Sequence, residues 1–184
     1  MAAPSSSPAG PKITQQSTRT DAQGTNMSTK LAERFQANQG APIEWHGHLI
    51  HMMYEVTAPE GSPALQIQFT HTNTQRPQAL RLKLRGGHIE INQQRLDDVV
   101  LWAEDVPGPV VGQLLPKKPG NPVALRTWNA WRDHTGAMQA WIGNSGIIIE
   151  VPAKGATTLK CSDGFGEPSF DDLIVQLSFR PSPD

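Results

Sequence analysis

Between residues 65 and 85 the chain alternates apolar and polar side chains twice. Leu65, Ile67 and Phe69 are interleaved with Gln66, Gln68 and Thr70. After a break at Asn73 to Pro77, Leu80, Leu82 and Leu84 are interleaved with Arg81, Lys83 and Arg85. A period of two sends successive side chains to opposite faces, so each stretch is a strand with one dry side and one wet side. A helix would scatter the same residues around its circumference. Dry strand faces need a second layer to cover them, which directs the chain toward stacked β-sheets. With 16 Gly and 16 Pro, and only 37% hydrophobic residues, the composition also suits short strands joined by turns.

The rest of the chain extends this pattern. Ile43 to Val56 is rich in strand-forming residues and contains His46, His48 and His51. Gly86-Gly87 reads as a tight hairpin leading into His88-Ile89-Glu90-Ile91-Asn92. Val99 to Trp102 is a further strand. Residues 104–122 hold five prolines and read as an irregular connection, with at most an edge strand around Val110-Val111. Ala124 to Arg132 and Ala137 to Ile142 bracket Asp133-His134-Thr135-Gly136, the signature of a hairpin. Centring that turn on His134-Thr135 places Trp131 opposite Met138 and Trp128 opposite Trp141. Turns at Gly143 to Gly146 and at Lys154-Gly155 separate Ile147 to Val151 from Thr157 to Cys161, and Leu173 to Phe179 closes the chain. The expected fold is an antiparallel β-sandwich or jelly roll of about nine strands over residues 41–180. Residues 1–38 read as a Ser/Thr/Gln/Pro-rich tail too poor in apolar side chains to order itself. Its end, residues 28–38, suits one short helix with Ser28 as its cap.

The formal net charge of -1 gives no reason to expect nucleic acid or an anionic membrane as partner. No apolar run is long enough to span a bilayer. Met1 to Pro8 lacks the basic start and apolar stretch of a secretory signal, so a cytoplasmic location is the default, with export by other routes left open. Cys161 is the single cysteine and can form no internal disulfide. Nearby carboxylates disfavour its thiolate. No Gly-x-Ser-x-Gly elbow, phosphate-cradling glycine loop or His-Glu-x-x-His motif occurs. His46 and His48, two apart, would share a strand face at a spacing that can chelate zinc or copper, with His51 turned the other way. Solvated strand histidines are the simpler reading. The Arg81, Lys83, Arg85 face reads as a solvated strand face, or as three aligned cations that meet an anionic partner.

Two constellations remain as candidate sites. In the predicted hairpin, Trp128 and Trp141 share a face with Arg126 and Arg132 and are flanked by Gln139, giving an aromatic platform with polar edges. Sugar C–H faces stack on such rings while hydroxyls bond to the side chains around them. The competing reading buries these tryptophans, but Leu125, Trp131, Met138, Ala140 and Ile142 form the better apolar set on the opposite face. The second constellation is the loop Cys161 to Asp172. Asp163, Glu167, Asp171 and Asp172 supply four carboxylates within ten residues, and Gly164 and Gly166 let the loop fold back. Calcium takes several oxygen ligands at once, so such a loop suits it if the carboxylates converge. Turn formation and strand capping account for the same residues without a metal.

The segment Ser162-Asp163-Gly164, followed by Ser169-Phe170-Asp171-Asp172-Leu173-Ile174-Val175, resembles the carboxy-terminal calcium loop and last strand of small calcium-dependent fucose- and mannose-binding bacterial lectins. In that resemblance Asp163 matches the first acid, Glu167 the first aspartate of the run, Phe170 the aromatic, and Asp171 and Asp172 the Asn-Asp pair. Ser169 stands where those lectins have an aspartate bridging two ions. They also finish on a metal-ligating glycine, whereas Arg180 to Asp184 follows here. The resemblance covers roughly eighteen of the 184 residues and implies one calcium ion and a sugar ligand. The expected function is therefore a non-enzymatic module that binds carbohydrate, with calcium as an assisting ion. Two other readings stand beside it. One is an effector, immunity or accessory protein that grips another protein through the tryptophan hairpin. The other is a jelly-roll glycosidase, although no spacing among Glu44, Glu90 and Glu150 singles out a catalytic pair.

Overall fold

A computed structural model describes residues 30–60, 64–73 and 75–181. The two alternating stretches are strands, and their dry faces meet: Leu65 and Ile67 share one buried cluster with Leu80, Leu82 and Leu84. In chain order the elements are α1 (Leu31–Ala37), β1 (Ile43–Trp45), β2 (His48–His51), β3 (Tyr54–Thr57), β4 (Ala64–Thr72), β5 (Gln78–Arg85), β6 (Gly87–Ile91), β7 (Gln94–Leu96) and β8 (Asp98–Trp102). A 3-10 turn (Ala103–Asp105) follows, then β9 (Val110–Pro116), β10 (Ala124–Arg132), β11 (Met138–Gln139), β12 (Gly146–Glu150), β13 (Thr157–Ser162) and β14 (Leu173–Arg180).

The strands form two antiparallel sheets. One has nine strands in the order β1-β2-β12-β13-β14-β4-β9-β6-β7. The other has five: β11-β10-β5-β8, with β3 also pairing β10. The fold class is the expected all-β sandwich. Its strands outnumber the expectation because Ile43 to Thr57 breaks into three short pieces and Asn92-Gln93 makes an additional hairpin. Both residues of that turn have positive φ (49° and 66°), the geometry of a tight two-residue loop. The main cluster fills the space between the sheets, with Ile147, Leu159, Cys161 and Leu173 completing it from the nine-stranded side.

Several local expectations are corrected. Val110 to Pro116 is an internal strand: β9 pairs β4 through Val110 to Gln113 and β6 through Gln113 to Pro116. Its prolines stand just before it or at its last residue, where the missing N–H does not interrupt a ladder. Gly86-Gly87 is not a hairpin, since β5 and β6 belong to different sheets. A Cβ on Gly86 would lie 2.5 Å from the Pro122 carbonyl oxygen, so glycine serves close backbone approach at the crossover. His46 does not share a strand face with His48. It occupies the β1–β2 turn at φ 48°, and its ring meets Trp45 edge-on at 4.9 Å.

Ser28 lies outside the described residues, and Lys30 holds the cap position of α1 with no side-chain capping bond. The cap comes instead from a distant turn. The Leu31 N–H donates to Asn144 Oδ1 at 3.1 Å, and the Ala32 N–H donates to the Gly143 carbonyl at 3.0 Å. Leu31 and Phe35 then join Ile43 and Ile50 in a second, smaller core, so the helix is part of the folded unit. The tail assigned to residues 1–38 otherwise lies outside the described residues.

Candidate ligand-binding groove on the five-stranded sheet

The outer face of the five-stranded sheet carries the charged side chains Arg81, Lys83 and Arg85 of β5 and Arg126 of β10. Strand register fixes who stands beside whom. Trp128 is opposite Arg81, Arg126 opposite Lys83, and Ala124 opposite Arg85. On the far side of β10, Arg126 is opposite Glu55 of β3. On the far side of β5, Lys83 is opposite Asp98 of β8. One row across the sheet therefore reads Glu55, Arg126, Lys83, Asp98, with two cations in the middle and an acid at each end.

The hairpin of β10 and β11 extends this sheet toward the turn that carries Trp141. Its turn is where the sequence places it, but the register is one residue off: Trp131 pairs with Gln139 and Arg132 with Met138. The cause is a five-residue connection from Asp133 to Ala137 with Gly136 at φ 82°. Asp133 organises it. Its Oδ1 accepts from the Thr135 N–H at 2.9 Å, the Thr135 hydroxyl at 2.6 Å and the Ala137 N–H at 3.0 Å. Oδ2 accepts from Gln139 Nε2 at 2.7 Å. The hydrogen bonds from Thr135 and Gln139, in that order, hold the Asp133 carboxyl down at about 2.

With that register Trp128 has no strand partner in Trp141, because β11 ends at Gln139. The rings meet all the same, at 4.8 Å between centroids and 32° between planes. The contact depends on a backbone exception: Trp141 sits at φ 61°, a region bulky side chains avoid, and this turns its ring back over Trp128. The Trp141 indole N–H donates to the Met52 carbonyl at 3.2 Å, fixing the ring's orientation. Trp128 is consequently 5% exposed and Trp141 39%. The platform has one open ring resting on a buried one.

Met53, Arg81, Lys83, Arg85, Arg126, Trp128 and Trp141 line a groove of about 360 Å³ in front of these rings. The Arg81 guanidinium lies 5.4 Å from the Trp128 ring centre and forms a two-pronged ion pair with Asp98 (2.9 and 2.7 Å). Its hydrogen bonds hold Asp98 below the usual carboxylate range and push the Arg81 guanidinium up. Arg126 pairs with Glu55 at 2.7 Å, and Arg85 reaches the same carboxylate at 3.7 Å. Lys83 has no salt bridge among the described residues, although its charge helps lower the Asp98 carboxyl.

Of the residues expected at this site, Trp128, Trp141 and Arg126 meet. Arg132 and Gln139 do not line the groove. Arg132 covers Trp102 at 4.0 Å and pairs with Glu104 at 3.0 Å, while Gln139 is tied to Asp133. Met138 and Ile142, expected on the apolar face, are 43% and 50% exposed: Met138 opens the two-residue strand β11, and Ile142 lies beyond its end. Arg81, Lys83 and Arg85 complete the site. Their alternation in sequence was the available signal, but nothing in the sequence joined it to the tryptophans.

The acidic loop is built differently. Asp163 is 1% exposed, and its Oδ2 accepts from Arg76 Nη1 at 3.1 Å and Gln78 Nε2 at 3.0 Å. Its Oδ1 accepts from the Phe165 N–H at 2.9 Å. Asp172, also buried, accepts from the Asp163 N–H at 2.8 Å and from the Asn73 side chain. Burial pushes its carboxyl up, and the charge of Asp163 adds to this. Asp171 faces solvent and accepts from the Ser169 hydroxyl, and Glu167 is exposed. Asp171 and Asp172 thus point apart, and the oxygens of Asp163 are already occupied by protein donors. Among the described residues no group of three or more His, Cys, Asp or Glu is arranged to hold a metal ion. The loop acts as a hydrogen-bonded corner joining β4, β5, β13 and β14. Cys161 beneath it is fully buried, and burial pushes its thiol far above the usual range.

No helix among the described residues is long and apolar enough to cross a membrane. Comparison with known protein families, with curated proteins and with solved structures gives no match to this chain.

Proposed function

We propose that this chain is a non-enzymatic binding module that takes carbohydrate in the groove of the five-stranded sheet. The observation that carries the reading is Trp141. A bulky residue is held in a disfavoured backbone region at φ 61°, its N–H is pinned to Met52, and part of its ring is left open beside a row of hydrogen-bond donors. Backbone strain of this kind costs of order 1–3 kcal/mol and persists where the surroundings impose it, often at ligand sites. An open indole beside guanidinium and ammonium donors suits a saccharide, which offers C–H faces to the ring and hydroxyls to the donors. The groove is carried by β5 and β10 with Met53 and the Trp141 turn, so the reading requires no ion in the acidic loop.

A glycan array probed with the native chain and with Trp141→Ala tests this. Binding of one saccharide class that disappears in the variant supports the proposal. Absence of any saccharide binding by the native chain, or binding unaffected by the substitution, contradicts it.

A further inference from the structure

The groove lining has four cationic side chains and no acidic one. At its centre Arg126 stands directly opposite Lys83, an arrangement that destabilises a sheet when nothing compensates it. The neighbouring acids compensate only the margins: Asp98 is committed to Arg81, and Glu55 is shared between Arg126 and Arg85. Two carboxylates against four cations leave the face positive on a chain whose formal net charge is -1. Lys83 is exposed and free of any salt bridge among the described residues, so its ammonium is available to a ligand.

We infer that the carbohydrate taken by this groove is acidic, a glycan bearing carboxylate or sulfate groups that bridge Lys83 and its neighbouring arginines while one sugar face lies on Trp141. This rests on the carbohydrate reading and adds the charge of the ligand to it. Guanidinium groups match carboxylate and sulfate oxygens with paired N–H donors, and Lys83 supplies a point charge between them. A nucleic acid strand would bring the same charge, but it calls for successive stacking platforms along a basic track. Here the platform is a single open ring on a chain of nearly balanced charge.

Matched ligand pairs provide the test. Tetragalacturonate is compared with its methyl ester, and a dextran sulfate oligosaccharide with the uncharged dextran, each titrated against the native chain by calorimetry. The first pair reports on carboxylate and the second on sulfate. In at least one pair the acidic member is expected to bind about tenfold or more tightly than its neutral counterpart, as a charged hydrogen bond warrants. That preference is expected to shrink as ionic strength rises from about 0.05 to about 0.5 M. Lys83→Gln is expected to lose most of the preference while melting at or above the native temperature, because it removes one of two facing cations. Equal affinity for acidic and neutral members, or an undiminished preference in Lys83→Gln, overturns the inference and leaves the carbohydrate reading standing. Failure of every saccharide to bind overturns both. Tighter binding of a single-stranded oligonucleotide than of any saccharide overturns the inference in favour of nucleic acid.

Discussion

Asp133 and Trp141 lie at either end of the same stretch of chain, one held through hydrogen bonds to its side chain and the other through its backbone. Asp133 accepts hydrogen bonds from Thr135, Ala137 and Gln139, which favour its charged form and lower its carboxyl to about 2 from an ordinary 3.8. A depressed folded value means that its stabilisation is complete above the ordinary value and is lost as pH falls through about 2. The side-chain carboxyl carbon of Asp133, followed by NMR against pH, is expected to titrate near 2, and a midpoint near 4 would count against the turn geometry. Trp141 is restrained through its backbone. At φ 61° a glycine is unstrained and an alanine is not, so Trp141→Gly is expected to be more stable than Trp141→Ala by about 1 kcal/mol. Denaturant midpoints of the two variants check this, and equal midpoints would remove the strain on which the ring's placement depends.

Among the elements, α1 shows how a seven-residue helix is kept in place. Too short to be stable alone, it relies on burial of Leu31 and Phe35 and on a cap supplied by Asn144. Asn144 also donates to the Gly166 carbonyl, so one side chain ties the helix to the acidic loop. Asn144→Ala is expected to cost about 1 kcal/mol and to speed hydrogen exchange across Leu31 to Ala37 first. Uniform acceleration throughout the chain would show instead that the turn is needed globally. Elements of this kind differ in how far the sequence discloses them. β4 and β5 are legible because their alternation reports a burial pattern directly. β9 was obscured because counting prolines ignores where they stand along the strand. Gly86-Gly87 signals a backbone need that only glycine meets, and either a tight turn or close approach to Pro122 would look the same from the sequence. The Trp128–Trp141 contact was anticipated from a register that does not form. A positive φ at a tryptophan, which no local pattern announces, brings the rings together.

At the scale of the molecule, the groove gathers Met53 just ahead of β3, residues of β5 and β10, and Trp141 from the loop after β11, segments that no sequence window spans. The acidic loop is the reverse case. Its members are close in sequence and are then separated by the fold, with Asp172 turned inward and Asp171 outward. The oxygens of its buried members, Asp163 and Asp172, already have protein donors, so melting curves recorded with millimolar calcium and with a chelator are expected to coincide. A higher midpoint with calcium would return the loop to the list of ligand sites.

The five tryptophans offer the most direct measurement of the central claim, because each indole N–H gives its own NMR resonance and only Trp128 and Trp141 line the groove. Titration with the tightest-binding saccharide is expected to shift the Trp141 indole signal most and the Trp128 signal next, leaving Trp45 and Trp131 unchanged. Shifts centred on Trp45 or Trp131, or saccharide binding that moves none of the five, would contradict a binding site on the groove face.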